Sequence, residues 1–582
     1  MIYLKNHKQL ELFDPWQFLS PKRREMLDKS WPGLFKNEIL CELPVSKLFP
    51  FFQHDFGRPT KELYTVLGVL VFQQTFDLTD EEACNQFAYN IQWHYALNIT
   101  EESDSAKYMC PKTLWSMRNI LVENSLDGLL FECITKRLAD IFKVNTDRQR
   151  LDSVHIKSNM RRLGRIGIFV SAINKFLKNL KRNHIALFET IKKEVIEKYL
   201  PEKSLQCFSM IKPSEAQKTL TEVSNDLFDL VMQFKDRPEA ADMHSYKQLE
   251  RVLNEQCNLN MTKGKTTLEI KAPKEIPSDS LQNPSDPDAT YSGHKGQGYH
   301  VQIMETYVAT DDKAIRERTL NLITHVQVEP AHQSDALALL PAIESARKSD
   351  LAPKEMIADS LYGSDDNCEK AKDLGIAVIS PTMGETKKDA VSLSEFTTSG
   401  KGVIVACPQG HAPVAVNKKK TRHCAAFNAD HCSKCPNLSR CPAKPGKKHH
   451  YLRYTEKEMR IARRRCYEQT DAFKDRYRWR SGVEATMSEY DRRTGVKRLR
   501  VRGFPAVRFC ATLKALGINL LRAAVVWMAI NSAPSEDSSA GFDPNHVFLI
   551  VKERFLIIWQ RLKNFFTNST MDNKHFRRIY CA

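Results

Sequence analysis

Three acidic residues that are far apart in the chain, Asp152, Asp359 and Glu484, are candidates for a catalytic role. Asp152 interrupts the alternating strand pattern LDSVHIK, in which Val154 and Ile156 are apolar positions. Asp359 ends a short apolar run, and Glu484 lies at the start of a helical pattern inside an arginine-rich stretch. Carboxylate oxygens suit Mg²⁺, and two such ions can activate an attacking oxygen and stabilise a leaving oxygen in an in-line displacement. These carboxylates are therefore candidate metal ligands.

Each of these residues also has a structural explanation when it is taken alone. An Asp within a strand is disfavoured, so metal ligation would explain Asp152, but a hydrogen-bonded Asp at a strand start explains it equally well. Glu484 could be an incidental acid on a solvated basic helix. Two nearby histidines, His155 and His332, are better explained as structural than as catalytic residues. The assignment therefore depends on the carboxylates meeting in space.

The stretch around Glu484 is strongly basic. It reads YRWRSGVEATMSEYDRRTGVKRLRVRG over residues 477–503, and its helix is predicted to end near Thr494 and Gly495, a typical C-terminal signal. Guanidinium groups around one carboxylate suit a polyanion, because they can hold a phosphate diester beside the metal ligand. The candidate DNA-binding residues of this stretch are Tyr477, Arg480, Arg492, Arg493, Lys497, Arg498, Arg500 and Arg502.

The overall charge also favours a nucleic-acid partner. The 582 residues include 87 Lys and Arg against 70 Asp and Glu, a formal net charge of +17 with a pI near 9.1. Basic surfaces gain by releasing counterions from phosphates, which favours nucleic acid over an acidic small molecule. No apolar run approaches the roughly 18–20 residues that span a bilayer, and the N-terminus lacks an apolar signal region. We therefore expect a cytoplasmic protein with no membrane partner.

A cysteine-rich segment separates Asp359 from Glu484. The chain has 15 cysteines, and in a reducing compartment clustered thiols more often hold metal than form disulfides. A Cys at a knuckle-like turn, a CxxC pair and a further Cys fit tetrahedral structural Zn²⁺. Free thiols in a loop-rich insertion are the alternative, and the basic flanks could also place this segment on DNA. The chosen zinc ligands are Cys407, Cys432, Cys435 and Cys441, with Cys424, His411 or His431 as replacements.

Helical and strand patterns predict the elements that position these residues. Residues 1–145 predict an all-α domain with an apolar helix at 63–76, a capping box at Thr79 and Glu82, and a helix opened by Pro111. Its short helices could form a DNA-binding helix-turn-helix or a dimerisation or docking domain. In 285–385 strands alternate with helices, which predicts an α/β sheet. Asp359 stands at the carboxyl end of one strand, where working sites commonly lie.

Insertions and a C-terminal extension are predicted around this sheet. Residues 146–163 supply its first strand, and 164–284 contain a helical insertion with a structural or clamp-like role and a linker. The helical part extends to about residue 261, and the polar linker covers 266–288. The cysteine-rich insertion covers 386–464, and 465–530 supplies the C-terminal helices of the core, which carry Glu484. In 531–582, a polar linker precedes an amphipathic helix at 547–566, for which we expect oligomerisation or docking.

Four motifs follow one another in a recognisable order. They are LDSVHIKSN around Asp152, DPDATYSGHKGQGYHVQ from Asp286, IADSLYGSDDN around Asp359, and the Y-x2-R-x3-E block of Tyr477, Arg480 and Glu484 with its GVKRLRVRG tail. In this order they resemble the DDE transposases of bacterial insertion sequences, whose N-terminal helical domain is similar to FGRPTKELYTVLGVLVFQQTFDLTDEEA. The family block usually has a lysine seven residues after the glutamate, whereas Asp491 stands here, followed by Arg492 and Arg493 as candidate substitutes.

The resemblance implies a ribonuclease H-like mixed sheet flanked by helices, to which the residue patterns add an all-α N-terminal domain, a helical insertion and a small zinc-binding insertion. It implies that Asp152 bridges two Mg²⁺ (or Mn²⁺) ions, and that Asp359 and Glu484 each complete one site. The implied enzyme cuts the terminal inverted repeats of its element and joins the freed 3′-hydroxyls to target DNA. On double-stranded DNA it would act as a homodimer or larger oligomer.

Two other functions would fit the same core. One is a nuclease without strand transfer, and the other is a non-catalytic DNA-binding descendant. The presence of all three carboxylates disfavours the second.

Overall fold

The computed structural model describes residues 1–9, 14–54, 56–201, 212–262, 265–384, 390–399, 402–419 and 422–532. The amphipathic helix predicted at 547–566, and all but the first two residues of the linker before it, lie outside this range. Everything up to Met528 belongs to one unit, Met1–Met528.

Helices make up the N-terminal region. The predicted capping box is confirmed, since Thr79 accepts from the Glu82 amide and Glu82 accepts from the Thr79 amide. The third helix is apolar all round and is buried along almost its whole length, as such a helix requires. The helices are α1 Pro21–Asp28, α2 Trp31–Leu34, α3 Leu63–Thr75, α4 Asp80–Tyr89, α5 Ile91–Ala96, α6 Asp104–Lys107, α7 Pro111–Glu123 and α8 Asp127–Ile141.

The first strand, β1 (Arg148–Lys157), leads into the helical insertion. The insertion has its own core, in which its first helix packs against its fourth and sixth helices. Its residues 265–270 form a hairpin strand where we predicted a linker, because the alternation in KTTLEI fits a strand despite its polar composition. The elements are α9 Arg165–Asn183, α10 Ile185–Phe188, α11 Lys193–Tyr199, α12 Ala216–Phe234, α13 Pro238–Ala241, α14 His244–Gln256, β2 Cys257–Thr262 and β3 Lys265–Ile270.

A mixed sheet forms the centre of the unit, and its strands run in the order β4-β5-β1-β7-β8. β6 pairs with β5 on the edge that β4 also uses. β5 is antiparallel to both β1 and β6, whereas β7 runs parallel to β1 and β8 runs parallel to β7. The elements are β4 Thr290–Ser292, β5 Gly296–Thr306, α15 Lys313–Arg318, β6 Ile323–Pro330, α16 Leu339–Lys348, β7 Glu355–Ile357, α17 Asp365–Asp373 and β8 Ala377–Ile379.

A cysteine-rich segment with small sheets and a separate apolar core precedes the last helices. Its elements are β9 Thr397–Thr398, β10 Ile404–Ala406, β11 Ala415–Lys418, β12 His423–Asn428, α18 Ala429–Ser433, β13 Lys444–Pro445 and β14 His449–Tyr454. The last helices are α19 Glu456–Glu468, α20 Asp471–Tyr477, α21 Gly482–Thr494 and α22 Phe504–Ser532.

The two faces of the central sheet pack against different helices. Leu151 of β1 and Met304 of β5 face α16, while Val154 and Val301 share a core with α21, α22 and the N-terminal helices. The N-terminal helices therefore share one continuous core with the sheet and with the helix that carries Glu484.

One described helix, at Phe504–Asn531, is long and apolar enough to cross a membrane, which corrects our expectation that no such run exists. Within the protein, 61% of its apolar stretch is buried. Its Asn519 amide group also bonds with the backbone of Ile323 on the sheet. Apolar burial in the core accounts for the composition of this helix.

Candidate active site

Asp152 and Asp359 lie beside each other at the centre of the sheet. The parallel register pairs Arg150 of β1 with Ile357 of β7, and two residues further along each chain stand Asp152 and Asp359. Asp152 Oδ1 accepts from the Ser153 amide at 2.8 Å. Burial raises the pKa of Asp152, the Ser153 amide and Arg480 oppose this shift, and the charge of Asp359 adds to it. The two carboxylates therefore share one electrostatic environment.

The turn that carries Asp359 is held from both sides. Asp359 Oδ1 accepts from the Leu361 amide at 2.8 Å, and the Ser380 hydroxyl donates to the Asp359 carbonyl at 2.7 Å. Arg464 of α19 donates to the carbonyls of Gly363 (2.9 Å) and Ser380 (3.1 Å). Helix α19 thus braces the turn of Asp359 through an arginine that we did not predict.

Arg480 brings the third carboxylate into the same place. Its Nη2 donates to Asp152 Oδ2 at 2.9 Å and its Nη1 donates to Glu484 Oε1 at 3.2 Å. Burial lowers the pKa of Arg480, but the charges of Asp152, Asp359 and Glu484 raise it more strongly. The Glu484 side chain is 71% exposed, in the first turn of α21, where the helix dipole favours an acid. The structure thus places all three predicted carboxylates around one guanidinium.

Behind the carboxylates lies a buried ion cluster that sequence reasoning missed. Glu305 of β5 is fully buried and accepts from Arg150 Nε at 2.8 Å and from Arg522 Nη1 at 2.9 Å. The Thr486 hydroxyl of α21 donates to the same carboxylate, at 2.7 Å from Oε2. Arg150 also donates to the Trp479 carbonyl at 2.7 Å. The cluster thereby joins the strand of Asp152 to the helix of Glu484.

Gly482, at the start of α21, is required by this cluster. A Cβ at Gly482 would lie 2.0 Å from Arg150 Nη1. Because Glu305 and the Trp479 carbonyl hold that guanidinium, it cannot move away without losing them. The residue two positions before Glu484 is therefore glycine for a steric reason.

The predicted DNA-binding residues fall into two groups. Several are engaged within the protein: Arg493 with Glu489, Lys497 with Asp491, Arg500 with Asp77, and Arg502 with Asn159, while Tyr477 stacks on Phe473. Arg492 and Arg498 are exposed and have no ion pair among the described residues. Asp491, in the position of the usual lysine, lies 3.7 Å from Lys497 Nζ and accepts from the Lys497 amide at 3.2 Å. Asp491, which replaces the usual lysine, thus positions Lys497 further along the chain.

The DPD sequence at Asp286 has a structural role. Buried Asp286 accepts from the Tyr299 hydroxyl at 2.6 Å, the Ser158 hydroxyl at 2.8 Å and the Gly503 amide at 3.0 Å. Asp288 accepts from the Phe504 amide at 3.0 Å. These two residues tie the end of β1 to the first amides of α22.

Asp286→Ala should therefore lower the free energy of unfolding by about 3 kcal/mol, because it leaves buried donors without an acceptor. Asp288→Ala is the matched control: that residue is exposed, and the loss of its single capping bond should cost about 1 kcal/mol. The midpoints of thermal unfolding would rank the variants, and equal shifts would contradict this role of Asp286.

The cysteines chosen as zinc ligands line one cavity. Cys407, Cys432, Cys435 and Cys441 border it together with His411 and His431, whose rings lie 4.5 Å apart. Burial raises the pKa of Cys432, and the neighbouring Cys441, Cys407 and Cys435 raise it further. Cys424 is on β12 and is not among the residues that border the cavity. Across the described residues, no three His, Cys, Asp or Glu side chains are placed closely enough to hold a metal ion.

The two histidines near the motifs contact other residues than the three carboxylates. His332 Nδ1 is 3.1 Å from the Thr290 hydroxyl, as expected of a structural histidine. His155 packs edge-on against His300 at 5.4 Å, on the face of β1 opposite Asp152. Burial lowers the pKa of His155 to about 4, so it is neutral at neutral pH.

Two segments of the chain match known families. Residues 406–524 match the family model of the transposase DDE domain, and residues 37–119 match that of the transposase domain DUF772. The first segment contains Arg480, Glu484 and the four cysteines that border the cavity, whereas Asp152 and Asp359 lie outside both. No curated protein matches the chain. The matches confirm the resemblance to insertion-sequence DDE transposases.

Proposed function

We propose that this chain, whose matched segments are transposase domains, cuts the ends of its own insertion sequence and joins them to target DNA. The observation that carries the proposal is the meeting of Asp152, Asp359 and Glu484 around Arg480, from segments more than a hundred residues apart. Carboxylates gathered in this way suit two-metal phosphoryl transfer.

The sheet supports a ribonuclease H-like core for the same chain. Three antiparallel strands, β6, β5 and β1, are followed by two parallel strands, β7 and β8. Asp152 lies on the central strand, Asp359 follows its parallel neighbour, and Glu484 is on a helix packed against the sheet. This arrangement puts acids from a strand, a turn and a helix at one point.

In this proposal Asp152, Asp359 and Glu484 hold two Mg²⁺ or Mn²⁺ ions. When bound, the ions would polarise the scissile phosphate and stabilise the attacking and leaving oxygens. Arg480 has to release at least one carboxylate for that ligation, since it now bonds to Asp152 and Glu484. Its freed guanidinium can then hold a phosphate oxygen of the DNA. Arg480 thus serves the carboxylates in one state and the substrate in the other.

The basic tail of α21 supplies the surface for duplex DNA. Exposed Arg492 and Arg498 are available to phosphates, and Lys497 is held beside them by Asp491. The ends of an insertion sequence come in pairs, so we propose a homodimer or larger oligomer on DNA. We also propose that the protein works in the cytoplasm, where its DNA substrate lies.

The direct test is to incubate the protein with DNA carrying the sequences that flank its own reading frame, plus Mg²⁺. We expect cleavage at both element ends, and joining of a pre-cut 3′ end to a plasmid. Cleavage without joining would favour a nuclease on the same core. Binding without either reaction would favour a DNA-binding descendant.

We further propose that Cys407, Cys432, Cys435 and Cys441 close around a structural Zn²⁺. All four border one cavity, and zinc binding would draw them together from their present positions, in which no three of these described side chains are close enough to hold an ion. Four thiolates make a closed site, which stabilises a small segment without taking part in catalysis. His411 and His431 border the same cavity and remain alternative ligands.

Metal analysis of the purified protein should find one Zn²⁺ per chain, and Cys432→Ser with Cys435→Ser should remove it. Because binding of structural zinc is coupled to folding, chelation should lower the thermal midpoint of the native protein and leave that of the variant unchanged. Cys424→Ser, in the same segment but away from the cavity, should keep the metal. A metal-free native protein would contradict the site.

A further inference from the structure

The charges of the helical insertion are segregated along its sequence. Residues 161–200 carry ten Lys and Arg against three Asp and Glu, and no acid occurs before Glu189. Residues 213–256 carry nine acids against five bases. One cross-pair is Lys198 with Asp226, at 2.6 Å. A domain that used these charges for its own stability would be expected to pair more of them.

A group of exposed cations lies on two helices of the insertion that contact each other, α9 and α11. Helix α9 buries Phe169, Ile173 and Phe176 in the insertion core and leaves its charged side in solvent. None of the exposed cations there has an ion pair among the described residues. They are Lys178, Lys181, Arg182, Lys192 and Lys193, and we call them the basic face.

Helix stability explains part of the basic face but not all of it. Lys181 and Arg182 lie in the last turn of α9, where the helix dipole favours cations. Lys192 and Lys193 stand at the N-terminus of α11, where the dipole disfavours them, and Glu194 offsets one charge at most. Positive charge kept at an unfavourable position suggests an external anion.

The insertion is fastened next to the strand that carries Asp152. Asn283 donates to the Arg161 carbonyl at 3.0 Å, and Ser158 bonds to Asp286, so its entry and exit are joined. Arg251 of α14 donates to the Pro287 carbonyl at 2.8 Å. Helix α9 has 19 residues, so it is about 28 Å long, roughly the length of eight DNA base pairs. A duplex lying alongside α9 would cover that distance.

We propose that the basic face binds the phosphate backbone of duplex DNA beyond the cleaved bond. The contacts would be independent of base sequence, because Lys and Arg would bind phosphate oxygens, which are the same at every base pair. This inference rests on the proposed function, which brings DNA to the neighbouring carboxylates, and it adds a second anchoring surface to it.

The test compares two variants that remove equal charge from the same domain. Lys178→Gln, Lys181→Gln and Arg182→Gln neutralise the basic face, whereas Lys218→Gln, Lys235→Gln and Arg237→Gln neutralise exposed cations of the acid-rich half. Affinity for a duplex is measured over a range of salt concentrations, without divalent metal so that no cleavage occurs.

For the basic-face variant we expect the slope of log affinity against log salt to fall by about one per lost phosphate contact. The fall should be the same on element-end and unrelated duplexes, and the acid-half variant should keep the native slope. Should the first variant unfold, Lys192→Gln with Lys193→Gln serves instead, because it removes cations that destabilise a helix terminus.

The outcomes separate this inference from the proposed function. Equal slopes for the two triple variants would contradict DNA binding by the basic face, and they would not affect the proposed function of the active site. Loss on element-end DNA alone would also overturn it, because phosphate contacts do not read sequence. No duplex binding by the native protein would overturn both proposals.

Discussion

Asp359→Asn should abolish metal-dependent cleavage and joining of element-end DNA while binding that DNA no more weakly. Loss of one metal-ligating carboxylate removes several kcal/mol of transition-state stabilisation, which corresponds to a rate loss of at least about a thousandfold. The fold should persist, because Asn can accept the Leu361 amide bond that Asp359 now accepts at 2.8 Å. Affinity should not fall, because the change removes a negative charge from beside the phosphates.

Asp366→Asn is the matched control for this variant. Asp366 is an exposed carboxylate of α17, paired with Lys457 at 3.3 Å, and its replacement should leave cleavage unchanged. The double variant of Asp152 and Asp359 should lose no more than either single one, because residues that act as a unit are not additive. Cleavage by Asp359→Asn within tenfold of the native rate would rule out the three-carboxylate site.

Local signals were sufficient for the elements that carry this site. The alternating pattern around Asp152 forms a strand, and Gly495 ends α21 with φ +63, as its position after the basic helix predicted. The three acids were found in the sequence because each breaks a local preference or belongs to a recognisable motif. Such features depend on neighbours within a few residues, so they can be recognised in a single sequence without knowledge of the fold.

Partners across the chain could not be predicted in the same way. Arg480 was assigned to DNA, yet it bridges Asp152, 328 residues away, and Glu484. Arg500 of the basic tail pairs with Asp77 of the N-terminal helices at 3.0 Å, an ion pair that no local pattern indicates. The single core shared by the N-terminal helices and the sheet could not be predicted either, because it depends on tertiary packing between distant segments.

Glu305 is the clearest case of a residue without a local signal, and its removal should have the largest effect on folding. Its Arg522 partner is 217 residues away, and both arginines of the cluster would be left without their buried counter-charge. Breaking a buried ion pair by removing one partner typically costs about 3–5 kcal/mol. We expect Glu305→Ala to lower the free energy of unfolding by that amount, measured by thermal or urea unfolding of the main transition.

Glu317→Ala gives the scale against which that loss is judged. Glu317 lies 3.7 Å from Lys313, and its side chain is 64% exposed, so its removal should cost less than about 1 kcal/mol. A loss of that small size for Glu305→Ala would show that water or other groups already compensate the two arginines.

Glu305→Gln separates a role in folding from a role in positioning Glu484. The amide keeps the shape, and its one oxygen can still accept from Arg150 and Thr486, which both lie 2.8 Å from Glu305 Oε1, so most of the fold should survive. Outer partners of metal ligands typically contribute about 10–100-fold in metal affinity, and we expect that increase in the Mn²⁺ concentration needed for half-maximal cleavage. Calorimetric Mn²⁺ binding should weaken in parallel, because Glu484 would be less firmly oriented. If Glu305→Gln kept native Mn²⁺ affinity while Glu305→Ala unfolded, the cluster would stabilise the core without orienting Glu484.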